Sequence, residues 1–380
     1  MNSILYKNGK VILENEILPL GAVLVRDGII VEIFRGETKM KADVTVDAGG
    51  KYISPGFIDT HIHGGAGYDV MDADPVALVE IARTHRAHGC TAFLPTTLTS
   101  ELSRIKTAVK NVSDVMRTEH FGARILGAHL EGPCFNIKFK GAQNPKYLVN
   151  PSIELFNEID GGTGVVKRIS MAPELEGAFE TAEYFSKRGV SISVAHSDAD
   201  FACVEEAVKR GFSHVTHMYN GMSYVSSPDY YCKTGVVEAG LLLGGLTCEV
   251  IADGKHMPKE IMKLLYKCKG PEKLLLTTDA TRPTNMPEGA YELGGLEVLV
   301  TDGVAMLADR SSFAGSVATC DRLVRFAHKD CGFPLHEAVK MAGLNHARLI
   351  GADNETGSIA KGKRGDIIIF DDEINVIEAK

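Results

Sequence analysis

Eight short apolar runs, separated by segments with a helical stripe, restrict the fold of this chain more than any other feature of it. They span residues 57–63, 91–95, 125–131, 166–172, 191–196, 214–217, 248–253 and 274–279. The helix signals between them are explicit. After Ser100, Leu102, Ile105, Val109, Val112 and Met116 are spaced to line one helix face. Asp74-Pro75 joins a capping residue to a proline at the first helical position, and Gly89 marks the stop. Eight such units in series predict an α/β fold of the (β/α)8, TIM-type barrel kind. A doubly wound sheet is the alternative, but no GxGxxG follows the first strand.

The two ends of the chain have a different texture. The apolar runs 22–25 and 29–34 flank Asp27-Gly28, which is a hairpin signal, and 365–370 is another short β-type run. A small discontinuous β-sandwich domain is therefore expected from residues 1–54 with 351–380, with the barrel over 55–350. A β-hairpin insertion is expected near 284–310, before the last helices.

Composition removes several function classes. Against 41 Lys and Arg stand 49 Asp and Glu, a net charge of -8, which disfavours a nucleic-acid or anionic-membrane surface but leaves room for a local basic pocket. The eight cysteines form no CxxC pair and read as reduced, packed thiols. Residues 1–7 have no basic stretch leading into an apolar core, and the most apolar segment, 239–246, is too short to span a bilayer. A cytoplasmic protein is expected.

Chemistry gathers at the ends of the runs. His61, His63, Glu131, His196, His217, Asp253 and Asp279 all fall at or just past a predicted strand's C-terminal end, the face where barrel enzymes build their sites. In His61-Ile62-His63 the period of two puts both imidazoles on one side of the strand, so both can face one ion. Glu131 ends a strand before Gly132-Pro133 and can bind one metal or bridge two, although a capping or salt-bridged glutamate fits it as well. His196 and His217 each end an apolar strand; singly they suit a core, but beside Glu131 they complete a three-ligand catalytic zinc set. Asp279 ends the last run and can move a proton between water and a leaving group, with helix capping as its plain alternative. The turn Asp253-Gly254-Lys255-His256 suits a hydroxyl or small anion, or is a simple surface loop.

These residues resemble the amidohydrolase superfamily, and within it the N-acetylglucosamine-6-phosphate deacetylase family, nearly end to end. The resemblance rests on Pro55-Gly56-Phe57-Ile58-Asp59 with His61 and His63, and on Phe93-Leu94-Pro95-Thr96-Thr97. It continues through His129-Leu130-Glu131-Gly132-Pro133, Gly141-Ala142, Ala195-His196-Ser197 and His217-Met218-Tyr219-Asn220-Gly221-Met222. It closes on Asp253-Gly254 with His256, Thr278-Asp279-Ala280 and Ala314-Gly315-Ser316. The resemblance implies a divalent metal held by Glu131, His196 and His217, with His61 and His63 serving a second ion in binuclear members. Zinc is the first expectation, iron(II) or another divalent ion the alternative, with one or two ions per subunit. Asp279 is implied as general base and then acid, and Ala142, Gln143, Asn220, Gly221, His256, Phe313, Ala314 and Gly315 as substrate contacts. The family is usually a homodimer.

The implied activity is metal-dependent removal of the N-acetyl group from an amino-sugar 6-phosphate, a small molecule. Alternatives are another N-acetylhexosamine (N-acetylgalactosamine 6-phosphate or an unphosphorylated sugar) or a non-catalytic scaffold of this fold. Two departures stand out. Gln143 replaces the family's usual histidine, and the family's phosphate-binding arginine has no counterpart in the segment Ser226-Ser227-Pro228-Asp229-Tyr230-Tyr231-Cys232-Lys233. Lys233, with His256, is the expected substitute.

Overall fold

The computed structural model describes residues 3–118 and 121–379; Met1, Asn2 and Lys380, at the ends of the expected small domain, lie outside them. Eight strands run parallel through the centre: Phe57–Ile62, Cys90–Pro95, Ala128–Glu131, Val166–Met171, Ser191–Val194, Phe212–Val215, Thr247–Ile251 and Leu274–Thr277. The last six form one sheet in chain order, and the first two share another with the short strand Arg124–Ile125. Isolated parallel bridges, Thr96 to His129 and Ile62 to Ala280, link the two sheets at both of their edges.

The run expected over 125–131 is two strands. Arg124–Ile125 pairs with Cys90–Pro95, and Ala128–Glu131 pairs with Val166–Met171. Gly127 makes the break: its φ is +147°, and a Cβ there would lie 2.4 Å from the Lys167 side chain and 2.6 Å from the Val165 carbonyl oxygen. Only glycine accepts that conformation and that approach.

The expected helices form for the reasons read from sequence. Asp74 accepts a hydrogen bond from the Val76 N–H at 2.9 Å and opens the helix Pro75–Ala87. In Leu102–Val115 the residues Ile105, Val109 and Val112 are buried against the core, while Met116 falls just past the helix end and is exposed.

The chain ends meet in one seven-stranded sheet. Ile367–Phe370 pairs antiparallel with Tyr52–Pro55, and Val376–Ala379 pairs with Ile367–Phe370. The hairpin between Ile17–Arg26 and Ile29–Arg35 turns on Asp27 and Gly28, both with positive φ, as a two-residue turn requires. This sheet has an apolar cluster of its own, including Tyr6, Val11, Val23, Ile53 and Ile369. The expected insertion is a three-stranded antiparallel sheet, Gly289–Leu293, Leu296–Thr301 and Val304–Leu307. Among the described residues, no helix is long and apolar enough to cross a membrane.

Candidate metal centre and cavity

Three of the parallel strands stop short of the residues that carry the chemistry, whereas His61 and Glu131 lie within theirs. Strands end at Val194, Val215 and Thr277, and His196, His217 and Asp279 follow two residues later with φ of 44°, 28° and 49°. Left-handed backbone at a non-glycine residue is strained and persists only where its surroundings hold it. Here they do: the Ser316 N–H donates to the Asp279 carbonyl at 2.8 Å, and the His217 N–H donates to Glu249 Oε1 at 3.1 Å. The bend turns all three side chains inward over the end of the sheet.

They converge there with Glu131, His61 and His63. Glu131 Oε1 lies 3.0 Å from His217 Nε2 and 3.4 Å from both His196 Nε2 and His61 Nε2. Its Oε2 lies 3.3 Å from His63 Nε2, and Asp279 Oδ1 is 3.4 Å from His61 Nε2 and 3.3 Å from His63 Nε2. Two groups of donor atoms result: Glu131 with His196 and His217, and His61 with His63 and Asp279.

The outward ring nitrogens decide what faces the centre. His196 Nδ1 is 2.8 Å from the Phe139 carbonyl oxygen, His217 Nδ1 is 3.1 Å from the Asn220 carbonyl oxygen, and His61 Nδ1 is 2.6 Å from Glu249 Oε1. Carbonyl and carboxylate oxygens only accept, so each Nδ1 carries the proton and each Nε2 turns its lone pair inward. Lone pairs of three imidazoles and two carboxylates then meet in a buried space, an arrangement that repels itself without a cation. The donor set of nitrogen and carboxylate oxygen fits a divalent metal. Without one, protons are drawn in: burial disfavours charge on His63, yet Asp279 and Glu131 push its pKa up to about 9. Burial works against the Glu131 carboxylate too, but His61, His196 and His217 hold its pKa well below the usual range.

Gln143 is buried and clamps this carboxylate. Its Nε2 donates to Glu131 Oε2 at 2.8 Å, and its Oε1 accepts from the Thr99 N–H at 2.9 Å, so the amide can point only one way. Asp253 belongs to neither donor group. It accepts from the N–H groups of Lys255 and His256 at 2.8 Å and from His256 Nδ1 at 2.9 Å, so it closes its own turn and orients His256.

Beneath the site lies an ion pair that the sequence reading did not identify. Arg168 Nη1 donates to Glu249 Oε2 at 2.6 Å, and both side chains are fully buried. Burial raises the pKa of Glu249, but Arg168 and His61 hold it well below the usual range, so it stays ionised to orient His61 and the His217 backbone. The signal was present in the sequence: each charge sits inside a run expected to be buried. Removing one member of a buried pair strands the other and costs about 3–5 kcal/mol. We expect Arg168→Met to lose stability of that order in urea unfolding; a loss below about 1 kcal/mol would mean the histidines alone satisfy Glu249.

A cavity of about 390 Å³ opens on the centre. His63, Glu131, His196, His217 and Asp279 line it, as do Ala142, Gln143, Asn220, Gly221, His256, Phe313 and Gly315. Ala314 does not: its side chain is buried and its N–H donates to the Ala305 carbonyl at 3.0 Å. Lys233 does not either. Its backbone exchanges hydrogen bonds with Ser226 at 2.8 and 3.0 Å, which keeps this exposed hairpin outside the cavity lining. The inserted sheet and the loop after it add Leu293, Met306, Arg310, Ser311 and Ser312 to the lining, which no local pattern indicated.

Comparison with known proteins gives a consistent result. Residues 52–379 match the Amidohydrolase family. The chain is 34% identical over 381 residues to the N-acetylglucosamine-6-phosphate deacetylase of Bacillus subtilis (strain 168), covering 99% of this chain and 95% of that one. It is 34% identical over 353 residues to the N-acetylgalactosamine-6-phosphate deacetylase of Escherichia coli O157:H7, covering 93% and 91%. The crystal structure of N-acetylglucosamine-6-phosphate deacetylase from Pasteurella multocida superposes with a TM-score of 0.92 at 28% identity, over 100% of this chain and 98% of that one.

Proposed function

Since the chain belongs to the amidohydrolase family, we propose that it hydrolyses N-acetylglucosamine 6-phosphate to glucosamine 6-phosphate and acetate. The observation that carries this reading is the meeting of Glu131, His196 and His217 with Asp279 at one end of a sugar-sized cavity. Glu131, His196 and His217 would hold a divalent ion, zinc by preference, and His61 with His63 a second. Such an ion supplies Lewis acidity, polarising a bound amide carbonyl and lowering the pKa of water.

The chain's own residues do the rest. Gln143 and the two backbone carbonyls behind His196 and His217 fix the donor atoms, so no reorganisation is needed when substrate arrives. Asp279 takes the proton of the attacking water as its oxygen adds to the acetyl carbon. The carboxyl then returns that proton to the nitrogen as the C–N bond breaks, leaving acetate and a free amine. Ala142, Asn220, Gly221, His256, Phe313 and Gly315 would contact the sugar.

The supporting frame is read as a (β/α)8 barrel over residues 55–350, since bridges join its two parallel sheets at both edges. Residues 1–54 with 351–380 are read as a discontinuous β-sandwich domain, supported by their shared sheet and separate apolar cluster. A cytoplasmic homodimer completes the reading, in keeping with eight unpaired cysteines and an exposed apolar loop at Tyr224, Val225, Tyr230 and Tyr231.

An acetate-release screen tests the substrate. N-acetylglucosamine 6-phosphate is expected to have the highest kcat/KM among N-acetylhexosamines with and without the phosphate. A higher value for the galactosamine epimer would move the assignment to that sugar, and no release from any of them would overturn it.

A further inference from the structure

We propose that Arg310, carried by the loop after the inserted sheet, is the residue that selects the 6-phosphate; this rests on the substrate reading above. Among the described residues that line the cavity, it is the sole lysine or arginine. Its guanidinium makes no hydrogen bond or ion pair with the described residues, so an arriving anion displaces no partner. Its neighbour Asp309 turns Oδ1 to Ser311, accepting from the N–H at 2.9 Å and from Oγ at 2.6 Å, and forms no ion pair with Arg310.

The loop holds the side chain on the wall of the cavity that opens on the metal-type centre. Gly315 packs against Asp279, with a hypothetical Cβ 3.5 Å from Oδ1, which puts that end of the segment at the reaction centre. Two residues back, the Phe313 ring lies 4.3 Å from the His256 ring, and Arg310 is three residues further out. Arg310 itself is pinned: its N–H donates to the Leu307 carbonyl at 2.8 Å, and the Leu307 N–H donates to the Ser312 carbonyl at 3.0 Å. In the substrate the acetamido group and the 6-phosphate sit on opposite sides of the pyranose ring. With the amide at Asp279, the phosphate points along the 315-to-310 wall toward Arg310. His256 lies between, its Nδ1 held by Asp253 and its Nε2 without a partner among the described residues. A planar guanidinium can donate two parallel hydrogen bonds to a phosphate, which an ammonium cannot.

The test compares wild type with Arg310→Gly, Arg310→Lys and Lys233→Ala. Glycine suits the φ of +58° at this position, so the loop keeps its backbone. A charged hydrogen bond of this kind is worth about 10–100-fold in affinity. Arg310→Gly should raise KM for N-acetylglucosamine 6-phosphate by that factor, with a far smaller change in kcat. Calorimetry should show the same loss for glucosamine 6-phosphate, and Arg310→Lys should restore part of it. Wild-type affinity in Arg310→Gly, or the loss appearing in Lys233→Ala instead, overturns the proposal while leaving the substrate reading intact. A wild-type protein that binds glucosamine 6-phosphate no better than glucosamine overturns the phosphate reading itself, and Arg310's role with it.

Discussion

His217→Ala is expected to remove both bound metal and turnover. His217 Nε2 is the donor nearest Glu131 Oε1, at 3.0 Å, and with His196 it completes a set of three. Two ligands hold a divalent ion far less firmly than three, and even partners that merely orient a ligand are worth about 10–100-fold in metal affinity. Elemental analysis of the purified variant should find the ion depleted, and acetate release should fall to background. The fold should survive, because the strand ends at Val215 and the His217 backbone is held by Glu249 independently of the imidazole. Prolonged chelation of the wild-type protein should have the same effect on rate. Unchanged acetate release after chelation would remove metal dependence from the mechanism.

The second large effect is at Asp279. The change Asp279→Asn is nearly isosteric, and asparagine is at home in left-handed backbone, so the φ of 49° and the Ser316 hydrogen bond to the carbonyl are kept. The amide cannot accept and return a proton as the carboxylate does. Losing a positioned acid–base group costs about 10²–10⁴ in rate. We therefore expect kcat to fall by that factor while the ion stays with Glu131, His196 and His217 and KM changes little. Metal content measured on the same sample separates this outcome from loss of the ion. A kcat near that of wild type would take the proton transfer away from Asp279.

Much of the candidate centre was legible because it obeys short-range rules. Period two in an extended strand puts His61 and His63 on one side whatever they pack against. Glu131, His196, His217 and Asp279 could be grouped because each closes an apolar run, and parallel strands put such closures on one face. Helix capping at Asp74 and the turn at Asp27-Gly28 depend on neighbouring backbone alone, so they too could be read without a fold.

What could not be read depends on partners far apart in the chain. Arg168 and Glu249 are 81 positions apart, and no local pattern pairs them, although each is a charge inside an apolar run. The break at Gly127 exists because Lys167 and the Val165 carbonyl crowd it from the adjacent strand. Lys233 looked like the natural phosphate ligand by its place in the sequence, yet pairing with Ser226 holds its hairpin outside the cavity lining. Nothing in the sequence around Arg310 marks it as a site residue; it joins the cavity lining through the loop that follows the inserted sheet. Dihedral preference and periodicity act over a few residues, so the β/α alternation and the metal-type residues at strand ends were already written in the order of amino acids. Which cation reaches the far end of the cavity was not, because that depends on the path of a loop across space.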